Sequence, residues 1–466
     1  MLRELPLFLV VGFCALAFLG ESRNHGKTSP ALWIVTLWVM RCASRGLDQW
    51  NPWQVDEAAA IYDQLFLFVV AGLGFAVVGR RWPRAAVVLR RNLPILVFYG
   101  YIALSITWSP IMLDSSKRLL RAFGDLAMVL IVLTEINPFE AMLTVLWRTA
   151  LLLIPVSVVL VKCYGLIGSM YESDLKLSWI GVTTQKNCLG QLCLLAVIVF
   201  FFKIIRTMRR RKFAVWQIPM NLPFETICLG MTLYLLNGDG GNRSATSIIA
   251  LALAIGLLYL LEKLRSRPRV VPRVLLILAC VLGLFNLTAS FFFDRSLSDL
   301  VVESQGRDST LTGRTALWAD ILSVANHPIV GSGYMAFWTP SMMAYLKSFP
   351  GESWGPGEAH NGYLETYINL GWIGVILLIL LIVHALRGSS RMLLHDFDYG
   401  RFRLILLLTV LLQNYTEAGF PRATNIVWVS FLFVALDPYI SRPRIAREAP
   451  STKREPFVNR EQMFPA

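Results

Sequence analysis

The stretch LGQLCLLAVIVFFF, residues 189–202, decides the fold class. It carries one polar side chain, Gln191, and with its flanks from 187 to 205 it reaches the ~20 residues that a helix needs to cross a bilayer. Lys203, Arg206, Arg209, Arg210, Arg211 and Lys212 follow at once, the basic edge expected of a cytoplasmic connector. Comparable apolar runs lie near 4–20, 61–79, 93–109, 119–134, 141–161, 219–236, 245–261, 274–292, 366–386, 403–417 and 425–440. The chain therefore reads as an all-α, polytopic integral membrane protein with about twelve transmembrane helices.

Composition agrees. Of 466 residues 55% are hydrophobic and only 16% charged, which argues against a soluble globule and against disorder alike. The net charge of +14 does not point to nucleic acid, because the basic residues sit in short connectors between apolar runs. One group is Arg80–Arg91, a second Lys203–Lys212, a third Lys263–Arg273; two more lie at Arg387–Arg403 and Arg442–Arg460. Twelve spans with a cytoplasmic start put all five on one side. Counting 31–40 as a further span would reverse the N-terminus, and ten apolar residues are too few to cross unaided. Residues 1–20 resemble a signal peptide, with Arg3 and Ala15-Leu16-Ala17, but read better as an uncleaved anchor. The seven cysteines lie in or beside apolar runs without metal or disulfide spacing, and read as small buried hydrophobes.

Four regions follow: helices 1–9 with short loops over 1–292, a large outer loop over 293–365, C-terminal transmembrane helices over 366–440 and a basic cytoplasmic tail over 441–466. In the large loop, Leu311, Leu317, Trp318, Ile321, Leu322 and Ala325 predict an amphipathic helix, with Thr312 as N-cap and His327-Pro328 as its end. Gly331-Ser332-Gly333 then turns the chain.

Candidate chemistry gathers at the outer segments 110–118, 162–186, 237–244 and 293–365. Asn237-Gly238-Asp239-Gly240-Gly241-Asn242-Arg243-Ser244 precedes a span; its backbone N–H groups and Arg243 suit an anion. A tight turn with Arg243 paired to Asp239 or reaching the headgroups explains it as well. Arg314 opens the amphipathic helix, where solvation alone accounts for a cation. His360 precedes a span in His360-Asn361-Gly362-Tyr363-Leu364-Glu365 and could take a proton from an attacking hydroxyl, or simply cap the helix. Gly371 and Gly374, three apart, would share one helix face and admit a neighbouring helix or a lipid chain. Arg148 lies inside a span, where a charge is costly and flags function. No His/carboxylate spacing suggests a metal, and no GxSxG nucleophile motif is present.

Together these pieces resemble the O-antigen ligase and polysaccharide polymerase superfamily. His360-Asn361, nine residues, then Gly371-Trp372-Ile373-Gly374 matches its signature. Gly313-Arg314-Thr315-Ala316-Leu317-Trp318 with His327-Pro328-Ile329-Val330-Gly331-Ser332-Gly333 matches its outer-loop pattern. Arg243-Ser244 before a span and Trp108-Ser109-Pro110 with Lys117-Arg118 fit it too. Lys186-Asn187-Cys188-Leu189-Gly190, opening a span, looks like its exopolysaccharide polymerases.

The resemblance implies a GT-C-like membrane glycosyltransferase in the bacterial inner membrane, its site facing the periplasm. It implies no cofactor and no metal, an undecaprenyl-pyrophosphate-linked glycan as donor, and inversion at the anomeric carbon. His360 would orient or deprotonate the acceptor hydroxyl, while Arg243 and Arg314 would hold the pyrophosphate as its charge grows. Lys186, Asn361, Gly371 and Gly374 would serve donor or acceptor binding. The acceptor is the next lipid-linked repeat for a polymerase, preferred here, or a lipid A-core sugar for a ligase. Partners are these glycans, the bilayer and other polysaccharide export components, with no nucleic acid. A transporter relying on Arg148 and a non-catalytic membrane scaffold are the readings from other classes.

Overall fold

Backbone groups in hydrocarbon have no water to bond, so apolar runs of this length fold as helices that satisfy their own N–H and C=O groups. The computed structural model describes residues 4–24, 29–50, 57–171, 176–210, 220–239, 244–274, 314–348 and 357–439. Five helices among these are long and apolar enough to cross a membrane: Ala60–Arg80, Pro138–Cys163, Lys186–Arg209, Ala245–Lys263 and Gly362–His395. A sixth forms if the pair Trp82–Arg91 and Leu93–Trp108, bent by 92°, is one broken span. Leu5–Glu21, Ala31–Cys42 and Ile426–Ala435 are apolar but shorter. The expected span at 274–292 lies outside the described residues from 275 onward, as do 293–313, 349–356 and the tail from 440. The multi-pass, mostly helical character of the chain is plain; the expected total of twelve includes elements beyond the description.

Helices Pro138–Cys163, Lys186–Arg210, Phe397–Thr416 and Ile426–Ala435 form the centre. The ten residues of Ile426–Ala435 are all buried, among them Trp428, Phe431 and Phe433. Glu57–Arg80 and Ala245–Lys263 lie at the periphery and leave Phe68, Leu73, Leu253 and Tyr259 exposed. An apolar surface of this kind suits lipid, where close packing rather than water release holds helices together. Gly190 lets the 186–210 helix approach Ser244 and Ser247, where any Cβ would meet both hydroxyls.

One detail agrees with the sequence reading and two go beyond it. Ala31–Cys42 is a twelve-residue helix, too short to span by itself, with Leu32, Val35, Thr36, Trp38, Val39 and Cys42 buried. The all-α expectation misses a two-stranded antiparallel ladder, Ser169–Tyr171 with Leu177–Trp179, in register Ser169 with Trp179. Arg45 braces its far end by donating to the carbonyls of Ile167, Gly181 and Thr183. Arg148, suspected of function, has a structural partner: Nε donates to Glu21 Oε1 at 3.0 Å, and the guanidinium lies 4.2 Å from the Trp33 ring.

The 362–395 helix carries the break that shapes the site. Gly371 adopts φ 64 and ψ −168, which only glycine reaches easily. The N–H groups freed there bond outward, Trp372 to the Pro328 carbonyl at 2.8 Å and Ile373 to the Ile329 carbonyl at 3.2 Å. In return Ser332 and Gly333 donate to the carbonyls of Ile368 and Asn369. A Cβ on Gly371 would strike the Ile329 carbonyl, and one on Gly331 the Asn369 peptide. Gly371 and Gly374 thus do not share one regular helix face. Their spacing marks a docking joint for the 328–333 segment, and a Cβ on Gly374 would meet Leu370 of its own helix.

The helix expected here runs over Arg314–Val324, but Leu322 of its expected apolar face is exposed and Ala325 lies past its end. Its Leu317 and Ile321 join Phe337, Leu346, Ala359 and Ile368 in a small second core. The expected cap Thr312 lies outside the described residues.

Candidate active site

Asn361 caps the 362–395 helix, its side chain accepting from the N–H groups of Tyr363 and Leu364 at 3.0 and 3.1 Å. Short side chains that accept from the first free N–H groups are what an N-cap requires. The preceding peptide is clamped on both sides: Trp318 Nε1 donates to the Ala359 carbonyl at 2.8 Å, and Ala359 N–H donates to Glu365 Oε2 at 3.1 Å. Held this way, His360 sits at φ 47, in the left-handed region that few non-glycine residues enter.

Its imidazole faces two carboxylates. Nδ1 lies 3.2 Å from Glu358 Oε1 and 3.6 Å from Glu417 Oε2. Glu417 also accepts from Asn187 Nδ2 at 2.7 Å, tying the cluster to the start of the 186–210 helix. Arg422 donates to the second oxygen of Glu358, and Gln185 bonds the same carboxylate. Burial alone would raise the Glu358 pKa, but Arg422 and His360 outweigh it and hold the carboxyl below its ordinary value. Two carboxylates this close to one ring nitrogen favour positive charge on the imidazole.

The segment 417–425, which brings Glu417 and Arg422, is pinned from three sides. Asn414 Oδ1 accepts from Gly419 and Phe420 N–H at 3.1 and 2.8 Å. Tyr334 Oη donates to the Pro421 carbonyl at 3.0 Å. Buried Asp125 accepts from Thr424 N–H at 3.0 Å and from Trp38 Nε1 at 2.7 Å. Thr424 is itself at φ 54, and Met335, across the site, at φ 51. All three non-glycine residues with positive φ among the described ones therefore surround this cluster. Strain persists where its surroundings over-determine it, most often at working sites.

Two cavities meet here. One, of about 350 Å³, is polar and lined by Arg41, Arg45, Thr183, Gln185, Glu358 and Glu417, among others. Its arginines are engaged: Arg41 forms a two-point pair with Asp63 at 2.7 and 2.8 Å, and Arg45 serves backbone carbonyls. The other cavity, of about 240 Å³, is walled by Tyr334, Met335, Trp338, Met343, Glu365 and Asn369. Arg422 lines both.

The residues predicted from sequence meet this cluster unevenly. His360 is at its centre and Asn361 caps the helix behind it. Lys186, half-buried, stands beside Asn187 at the head of its helix. Gly371 and Gly374 act through the docking joint. Arg243 lies outside the described residues, and Arg314 is described only as the first residue of its helix. Glu358, Glu417, Arg422 and Asn187 were not singled out for this cluster. Glu358, two residues before the histidine, was the most accessible of them.

Ligand atoms of Glu358, His360 and Glu417 lie within 4.8 Å of one another, close enough to share a cation. Arg422 supplies a positive charge to the other oxygen of Glu358.

Comparison with known proteins bears on this geometry. Residues 230–379 match the O-antigen ligase family. The chain is also 32% identical over 159 residues to the exopolysaccharide production protein ExoQ of Rhizobium meliloti (strain 1021). That similarity covers 33% of this chain and 36% of the relative, so the chain matches about a third of its length.

Proposed function

From an O-antigen ligase-like, multi-pass membrane chain, we propose a glycosyltransferase of polysaccharide assembly. It moves a glycan from an undecaprenyl-pyrophosphate donor to a sugar hydroxyl at the periplasmic face, in the inner membrane. The observation that carries this reading is His360, held at positive φ between Glu358 and Glu417, the two carboxylates that line the polar cavity.

His360 takes the proton of the acceptor hydroxyl, with the carboxylates of Glu358 and Glu417 close to its Nδ1. As that proton transfers, the acceptor oxygen bonds to the anomeric carbon and the bond to the pyrophosphate oxygen breaks. Undecaprenyl pyrophosphate leaves, and configuration at that carbon inverts. The imidazolium formed is stabilised by the carboxylates of Glu358 and Glu417; a positioned base of this kind contributes about 10²–10⁴-fold. Arg243 and Arg314 hold the pyrophosphate and favour its growing charge over the ground state. No step needs a metal or an organic cofactor.

Polymerisation of an exopolysaccharide is the preferred outcome, on the similarity to an exopolysaccharide production protein and on the Lys186–Gly190 run. Ligation to lipid A-core is the second reading, favoured by the family match over 230–379. The transporter reading rests on Arg148, which is paired with Glu21. Reconstitution with lipid-linked repeats, with and without a lipid A-core acceptor, separates the readings. A ladder without added acceptor means polymerase; product only with lipid A-core means ligase; no product with either means neither.

A further inference from the structure

The smaller cavity differs from its neighbour in kind. Its walls are Tyr334, Met335, Trp338 and Met343, with Glu365, Arg118 and Arg422 among the polar groups at its edge. Trp338 is fixed by its indole N–H, which donates to Glu365 Oε1 at 2.7 Å. Glu365 also accepts from Ala359 N–H and, at 3.3 Å, from Asn369 Nδ2. An ionised carboxylate has roughly four acceptor positions, so one remains for a donor in the cavity. Arg118 donates to the Met335 carbonyl and Arg422 to Glu358, each with further N–H donors to spare. The space suits a ring with an apolar face and hydroxyl edges, with the arginines as donors at its rim. At about 240 Å³ it falls below the roughly 300–1,000 Å³ of pockets that enclose whole drug-sized ligands, so it takes part of a larger molecule.

We propose that this cavity is a saccharide subsite holding one sugar ring of the acceptor glycan. The proposal rests on the transferase reading above. Trp338 gives the ring an apolar wall, Glu365 accepts from a ring hydroxyl, and the clamped Ala359 peptide carries that contact to His360. The backbone strain at Met335 belongs to the wall of this subsite.

The test uses full-length protein in nanodiscs and, as probe, the lipid-free repeat oligosaccharide released from the host's own polysaccharide. Its binding is measured calorimetrically, apart from turnover, alongside transfer assays. Met343→Trp, which fills the cavity, and Trp338→Ala are each expected to weaken binding at least about tenfold and to raise the acceptor KM, while Trp338→Phe keeps most of the affinity. Binding of undecaprenyl pyrophosphate alone stays unchanged in all three, which also shows that they are folded. Unchanged oligosaccharide affinity in Met343→Trp, with transfer intact in wild type, overturns the subsite alone. Wild-type protein that neither binds the oligosaccharide nor transfers a glycan overturns the subsite and the transferase reading together.

Discussion

Nδ1 of His360 lies 3.2 Å from Oε1 of Glu358, a carboxylate whose other oxygen is taken by Arg422. The histidine is thus oriented by a residue two positions before it in the chain, and that residue by one from a separate loop. Glu358→Gln preserves shape but can present its amide N–H to Nδ1, which selects the wrong tautomer. Turnover is expected to fall at least about 10–100-fold with KM for the donor little changed. Steady-state kinetics on reconstituted protein checks this, and wild-type turnover in the variant would refute the orienting role.

Arg422→Ala leaves Glu358 half-buried without its cation. A loss of about 1–3 kcal/mol is expected, read as a lower unfolding midpoint in detergent. Arg422→Lys should recover part of the stability and little of the activity, because a point charge cannot serve Glu358 and both cavities with one planar fork.

The pKa of Glu358 is held below its ordinary value in the folded protein. Such a group adds stability that is fully present above the unfolded carboxylate value of about 4.3 and is lost as pH falls through the lower folded value. The stability difference between wild type and Glu358→Gln should therefore be flat from neutral pH down to about 5 and shrink only in stronger acid. Thermal unfolding across that range decides it; a difference that disappears already near neutrality would mean that Arg422 does not dominate this carboxylate.

Gly371→Ala meets both a positive φ and the Ile329 carbonyl. It should cost about 1–3 kcal/mol and reduce activity by displacing the 328–333 segment. Gly72→Ala, in a helix with open space around the added methyl, should be neutral or stabilising by up to about 1 kcal/mol. Equal effects of the two would remove the docking joint as an explanation for the signature glycines.

Arg148→Met leaves Glu21 buried without a partner and should destabilise by about 3–5 kcal/mol, with most of the loss restored by adding Glu21→Met. Activity per folded molecule should hardly change. A loss of activity in the stable double variant would return Arg148 to a functional role.

Much of this was legible in the sequence. Apolar runs such as 189–202 read directly as helices, because length and composition suffice for that inference. His360 was legible through its motif. Its partners were not: Glu358 and Glu417 look like any carboxylates at a wet helix end, and only the folded 417–425 segment brings Arg422 to them. The spacing of Gly371 and Gly374 suggested a packed face because a sequence does not show where a helix will break. Glu21 lay just past the edge drawn for the first span, so its pairing with Arg148 was missed.

The most direct test of the central claim is glycan transfer by purified, reconstituted protein given undecaprenyl-pyrophosphate-linked repeats, with His360→Ala run in parallel. A ladder of lengthening glycans in wild type, absent from a variant that unfolds at the wild-type temperature, is the expected result. An equal ladder from both proteins would contradict the placement of His360 in the chemistry.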